Sequence, residues 1–172
     1  MKLALLKSGP LSNNDMRWLI NEATGRKGYC HTELVFADGS SFSSLADESS
    51  VDSKGNKKQD GTRFTIPGQI DFTDAQTWTV VGVPGVSEAQ ESLIKIWCSQ
   101  QLDARYDWWG VMACGHVPLA REHPDDWFCS EVCTAALETV MQPTLVDPSV
   151  PKFIIPWQTS PNDMAVYFGA VK

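Results

Sequence analysis

The apolar and polar positions in the first half of the chain predict β-strands joined by a tight turn. Residues 2–7 form a short apolar run, and residues 29–36 alternate in character and are rich in strand formers. Residues 37–40, with the sequence Ala-Asp-Gly-Ser, are typical of a hairpin turn, so residues 41–45 should return as the partner strand. Two further strands are predicted, at residues 63–66 and 77–83.

In the second half the apolar residues recur at helical spacing. Ser87 and Gln90 match a capping box, and the helix they open should run to residue 101. Other helices are predicted at residues 106–114, 128–141 and from Ser160-Pro161 onward, with one more starting at residues 12–15. Polar loops are predicted at residues 47–61 and 115–126.

These elements predict an α+β fold in which a small antiparallel sheet packs against the helix at residues 128–141. The chain has 172 residues, 42% of them hydrophobic and 20% charged, which is ordinary for a globular protein. No internal repeat or linker divides it, so a single domain spanning residues 1–172 is predicted.

The charge excludes some partners. The net charge is -7, and no cluster of Lys and Arg is interleaved with aromatic residues, so nucleic acid is not expected as a substrate. No segment approaches the roughly 20 apolar residues of a membrane span. Residues 1–9 are too short for the apolar region of a secretion signal, which predicts a cytoplasmic protein.

The cysteines and histidines give no standard metal site. The chain has five cysteines, Cys30, Cys98, Cys114, Cys129 and Cys133. An odd number at these spacings favours reduced thiols, and the last two alone are weak as zinc ligands. A loop contains His116, His123, Asp125 and Asp126, whose spacing also matches no standard site. No metal or organic cofactor is therefore expected.

Cys129 and His31 are the candidate chemical groups. Cys129 falls in the first turn of its helix, where the helix dipole and unpaired amides favour the thiolate that attacks carbonyl carbons. A nearby imidazole would complete its activation and protonate a leaving group. His31 and Glu33 lie two apart on one strand and share a face. Taken singly, such a cysteine is more often a core residue and such a histidine more often structural.

Four segments together resemble one family. Residues 31–39 (HTELVFADG) resemble the His-strand-turn motif of the permuted NlpC/P60 papain-like hydrolases. Residues 127–133 (WFCSEVC) resemble their aromatic-Cys-Ser-Glu motif, and residues 105–107 (RYD) the preceding Tyr-Asp element. Residues 160–163 (SPND) resemble the family's closing helix. The histidine comes before the cysteine, as in the permuted order, and the nearest likeness is to small proteins of tailed bacteriophages.

The resemblance implies a circularly permuted papain-like fold and a cysteine amidase or peptidase. Cys129 would form a thioester intermediate, with His31 as general base and the backbone N–H of Cys129 in the oxyanion hole. Tyr106 and Trp127 are candidates for oxyanion or substrate contacts, although core packing is the plainer role for a tryptophan. The implied substrates are peptides, isopeptides, peptidoglycan-like peptides or lipid amides. A phage protein of this kind could also be associated with the virion.

The sequence does not decide which residue is the third member of the site. In the family it lies on the strand after the histidine, which places Ser43 near that position, where a serine departs from the usual residue. Glu33 could orient His31 instead. The departure at Ser43 also supports an alternative, a catalytically inactive phage or host-interaction module that keeps the papain-like fold.

Overall fold

The computed structural model describes residues 1–9, 20, 28–46, 60–114, 125–141 and 155–171. Within them, five strands form one antiparallel sheet in the order β4-β3-β2-β1-β5. These strands confirm the predicted ones with small shifts at their ends. They are β1 (Lys2–Lys7), β2 (Tyr29–Val35), β3 (Ser41–Leu45), β4 (Gly61–Thr65) and β5 (Trp78–Gly82).

The described helices also follow the sequence pattern. They are α1 (Glu88–Gln100), α2 (Trp108–Ala113), α3 (Cys129–Met141) and α4 (Pro161–Tyr167), with a short 3-10 helix at Pro156–Gln158. The capping box of Ser87 and Gln90 is present at α1, and Ser160 caps α4 in the same way with Asp163. The predicted helix start at residues 12–15 and most of both predicted loops lie outside the described residues.

The α+β prediction is confirmed at this level. One face of the sheet packs against α3 and α1 in the main core, to which Leu3, Leu5, Leu34, Phe42, Ile94, Val132 and Ala136 contribute fully buried side chains. Burying one such large side chain contributes about 1.5–3 kcal/mol. Among the described residues, no helix combines the length and the hydrophobicity that a membrane crossing requires.

The sheet opens between β2 and β3, near the start of α3. The two strands pair only at Leu34–Phe42 and Val35–Ser41, although β3 pairs with β4 along its whole length. Beyond that point side chains replace the missing ladder, since the Ser43 hydroxyl donates to the Thr32 carbonyl at 2.5 Å. The Cys133 thiol of α3 also lies 3.7 Å from that carbonyl oxygen. The opening therefore brings α3 against the strand that carries His31.

Candidate active site

His31 follows an irregularity in β2. Leu6 of β1 lies opposite His31 and Lys7 lies opposite Tyr29, so the register between the two strands shifts by one residue at Cys30. Such a bulge bends a strand and re-aims the neighbouring side chains. Cys30 itself is buried in a second apolar cluster, as expected for a packed thiol. The His31 ring is 7% exposed and meets the edge of the Trp78 ring at a centroid distance of 6.4 Å.

Glu33 is the partner of His31 on the same strand. Its Oε1 atom lies 2.9 Å from His31 Nε2, as the shared strand face predicts. The carboxylate is fully buried and accepts two further hydrogen bonds, from Arg63 Nη2 to Oε1 at 2.7 Å and from Ser41 Oγ to Oε2 at 2.8 Å. Burial alone would raise the Glu33 pKa, but the His31 hydrogen bond and the Arg63 charge outweigh it and lower the pKa. Glu33 is therefore ionised at neutral pH.

Cys129 is the first residue of α3. Phe128 precedes the helix, and its backbone N–H donates to Glu131 Oε2 at 3.4 Å, so Glu131 caps the first turn from inside. Asp107 and Trp127 hold the preceding segment in place through an N–H···O bond of 3.2 Å between their backbones. The Cys129 side chain exposes none of its surface.

The Cys129 thiol lies close enough to His31 to change the pKa of the imidazole. Because Nε2 is bonded to Glu33, Nδ1 is the ring nitrogen that remains for the sulfur. Burial lowers the pKa of His31, but the hydrogen bond and charge of Cys129, followed by those of Glu33, raise it to about 9. At neutral pH the imidazole is therefore protonated.

The other predicted site residues divide between the site and the core. Tyr106 is buried near Cys129, and burial together with the Cys129 charge raises its pKa well above the usual value. The Trp127 ring packs in the main core, 5.8 Å from the Trp97 ring, which is the plainer of the two roles considered for it. Trp108 and Trp109 are not packed in the core, because they are 38% and 78% exposed.

Ser43 does not contact His31 in the described part of the chain. Its hydroxyl donates to the carbonyl oxygens of Thr32 at 2.5 Å and Ser44 at 3.4 Å, across the opening in the sheet. The contact with the imidazole belongs to Glu33 instead. Ser43 therefore has a structural task, which is to satisfy a strand carbonyl where the ladder stops.

Two residues beside the site, the partly buried Arg63 and the buried Asn162, were not predicted from the sequence. Arg63 of β4 holds Glu33, and Asn162 of α4 makes two hydrogen bonds to the backbone of Tyr29, at 3.1 Å to its N–H and 3.2 Å to its carbonyl. Asn162 thereby extends the pairing of β2 just before the bulge. A charged residue amid the apolar and small residues of β4 was the available signal for Arg63. Asn162 offered none beyond its place after Ser160-Pro161.

We expect Asn162→Ala to lower the free energy of unfolding by about 2–4 kcal/mol, because it leaves two buried backbone groups of Tyr29 without partners. Urea unfolding followed by tryptophan fluorescence measures the change. Val166→Ala, at a position on the same helix that is 48% exposed, is the matched control and should cost less than about 0.5 kcal/mol. Equal effects of the two substitutions would contradict the anchoring role.

Comparisons of the chain with models of known protein families, with curated proteins and with solved structures found no match. Among the described residues, no group of three or more potential metal ligands converges. His116 and His123 of the weak metal alternative lie outside those residues. The function of the protein is therefore inferred from Cys129, His31 and Glu33.

Proposed function

We propose that this protein is a cysteine hydrolase acting on amide, isopeptide or ester bonds. The observation that carries the proposal is the His31 ring, whose Nε2 lies 2.9 Å from the buried Glu33 carboxylate and which interacts with the buried Cys129 thiol. These three residues supply a nucleophile at a helix N-terminus, a base beside it and a group that orients the base.

In the proposed reaction the Cys129 thiolate attacks the substrate carbonyl carbon and a C–S bond forms. The oxyanion accepts a hydrogen bond from the backbone N–H of Cys129, and the buried Tyr106, which interacts electrostatically with Cys129, is the candidate to line this position. The His31 imidazolium gives its proton to the leaving amine or alcohol as that bond breaks. Water then loses a proton to His31 as its oxygen attacks the thioester carbonyl. The C–S bond breaks, the carboxylic acid is released, and the sulfur leaves as the thiolate beside the imidazolium, which restores the ion pair.

We infer a circularly permuted papain-like fold of the NlpC/P60 type. An antiparallel sheet that carries the histidine packs on a later helix that begins with the cysteine, and this order supports the inference. The substrate class that goes with it is a peptide, a peptidoglycan-like peptide or a lipid amide. We also propose that the protein comes from a bacteriophage and acts in the cytoplasm or as part of the virion.

The first test is the reactivity of the thiols. We expect limited iodoacetamide treatment at neutral pH, followed by peptide mapping, to label Cys129 before any other cysteine. Burial raises the pKa of Cys114 to about 12 and the pKa values of Cys98 and Cys133 well above the ordinary range, so these thiols should react slowly. Cys129→Ser should abolish hydrolysis of model amides and esters. Earlier labelling of Cys98 or Cys114 would count against the proposal.

One observation favours the alternative of an inactive interaction module. Cys129 exposes none of its surface and His31 only 7%, so a substrate carbonyl cannot reach the sulfur without local movement. The labelling experiment separates the two functions. A wild-type Cys129 that resists iodoacetamide in the folded protein but reacts in urea would favour the inactive module.

A further inference from the structure

The Glu33 carboxylate lies between two cationic side chains that both contact one of its oxygens. Oε1 accepts a hydrogen bond from Arg63 Nη2 at 2.7 Å and lies 2.9 Å from His31 Nε2. The other oxygen, Oε2, accepts a hydrogen bond from the Ser41 hydroxyl at 2.8 Å. Neither Glu33 nor Ser41 exposes any surface, so neighbouring protein groups determine how the carboxylate is oriented.

An arginine favours a different arrangement with a carboxylate. The guanidinium commonly donates two parallel hydrogen bonds, one to each carboxylate oxygen. Arg63 makes only one of them, because its Nη1 atom is buried and has no hydrogen-bond partner among the described residues. The last torsion of a glutamate side chain is broad, so rotation of the Glu33 carboxylate could bring Oε2 to this nitrogen and weaken the contact of Oε1 with His31. Arg63 therefore competes with His31 for Glu33.

The Ser41 hydroxyl opposes that rotation. An ionised carboxylate only accepts hydrogen bonds, so Ser41 donates its one proton to Glu33. The buried Thr65 hydroxyl lies 2.5 Å from Ser41 Oγ, and since the Ser41 proton is already used, Thr65 is the donor of this second hydrogen bond. The two hydroxyls face each other because Ser41 of β3 pairs with Thr65 of β4. The series from Thr65 through Ser41 thus holds Oε2 in place.

We propose that Ser41 is a positioning residue that keeps the Glu33 carboxylate on His31 by preventing Arg63 from binding both carboxylate oxygens. As a statement about catalysis this inference rests on the proposed function, since it concerns the group that orients the base. The hydrogen bonds that carry it, from Arg63, Ser41 and Thr65 and between Glu33 and His31, all have measured distances, and none of them involves the nucleophile.

The test is the pKa of His31, measured by NMR titration of the imidazole C–H signals and assigned with His31→Gln. In Ser41→Ala we expect this pKa to fall by about one unit or more, because the hydrogen bond and charge of Glu33 raise it in the wild type. Cys129 also acts on the ring and is the same in every variant compared. Ser43→Ala removes a buried hydroxyl from the same strand and face and should leave the His31 pKa in place.

A double variant tests the competition itself. Lysine keeps the positive charge of Arg63 but has no planar fork for two carboxylate oxygens. The His31 pKa in Ser41→Ala/Arg63→Lys should therefore lie within a few tenths of a unit of its value in Arg63→Lys alone. A fall of about one unit between these two variants would overturn the proposed competition. Ser41→Cys, whose thiol is a weak donor, should lower the pKa in the same direction if Ser41→Ala does not fold.

The outcomes separate this inference from the proposed function, because the titration requires no hydrolysis. A His31 pKa that is unchanged or raised in folded Ser41→Ala overturns the role of Ser41, even if the wild type hydrolyses amides. A lowered pKa supports that role in a wild type that shows no hydrolysis, where the hydrolase proposal fails alone. An equal fall in Ser43→Ala would indicate a general loss of sheet structure and would also overturn the specific role.

Discussion

Replacing His31 by alanine should slow the alkylation of Cys129 at neutral pH by about 30-fold or more, because an unassisted thiol is only a few per cent ionised there. The rate of hydrolysis should fall further, by about 10²–10⁴-fold, since the leaving group also loses its proton donor. Both rates are measured on the same preparation, by peptide mapping and by release of a chromogenic amine. The physical reason is the interaction between the His31 ring and the Cys129 sulfur, which raises the pKa of the imidazole.

His31→Gln is the matched variant, since its amide can still donate to Glu33 but cannot take up a proton. We expect both variants to be equally slow if proton transfer matters and the glutamine to be near wild type if only packing matters. In the wild type, hydrolysis should decline as pH rises through about 9, where the imidazolium is lost, while alkylation stays on its plateau. Unchanged alkylation in His31→Ala would remove His31 from the site.

The pairing of His31 with Glu33 could be predicted because it depends on local geometry alone. Residues two apart on a strand share a face, and the sequence pattern already placed both on a strand. The position of Cys129 at the start of its helix was predictable for a similar reason, since an apolar stripe begins there. These two predictions needed no knowledge of how the elements pack.

The rest of the site depends on long-range packing that a single sequence does not reveal. Arg63 reaches Glu33 because β4 lies beside β3, and the strand order follows from the whole fold. Ser43 falls opposite Arg63 in that register, yet it turns to a carbonyl because β2 and β3 separate there. Counting residues along the hairpin assumes that β2 and β3 pair without a break. Under that assumption Ser43 would lie beside His31. The two strands separate there, and Glu33 makes the contact with His31 instead.

Glu33→Gln should impair the site far more than Ser43→Ala. The carboxylate is fully buried and bonded to two cations, so its removal leaves the Arg63 guanidinium without its counter-charge and should cost about 3–5 kcal/mol of unfolding free energy. It should also lower the His31 pKa, because the hydrogen bond and charge of Glu33 both raise that pKa. Less imidazolium then remains at neutral pH, and we expect hydrolysis to fall by about tenfold or more.

Ser43→Ala should lower the free energy of unfolding by about 1 kcal/mol, since one hydrogen bond to the Thr32 carbonyl is lost, and it should leave the pH profile of Cys129 alkylation in place.

Urea unfolding between neutral and acidic pH gives an independent readout. The Glu33 pKa is lowered from 4.5, so its stabilisation is present above that pH and is lost as pH falls through the folded-state value. This loss of stability at acidic pH should persist in Ser43→Ala and become smaller in Glu33→Gln. Glu33→Asp keeps the charge and serves if the glutamine variant does not fold. A profile shifted by Ser43→Ala and unchanged by Glu33→Gln would reverse the assignment, because the series from Cys129 through His31 would then end at the serine.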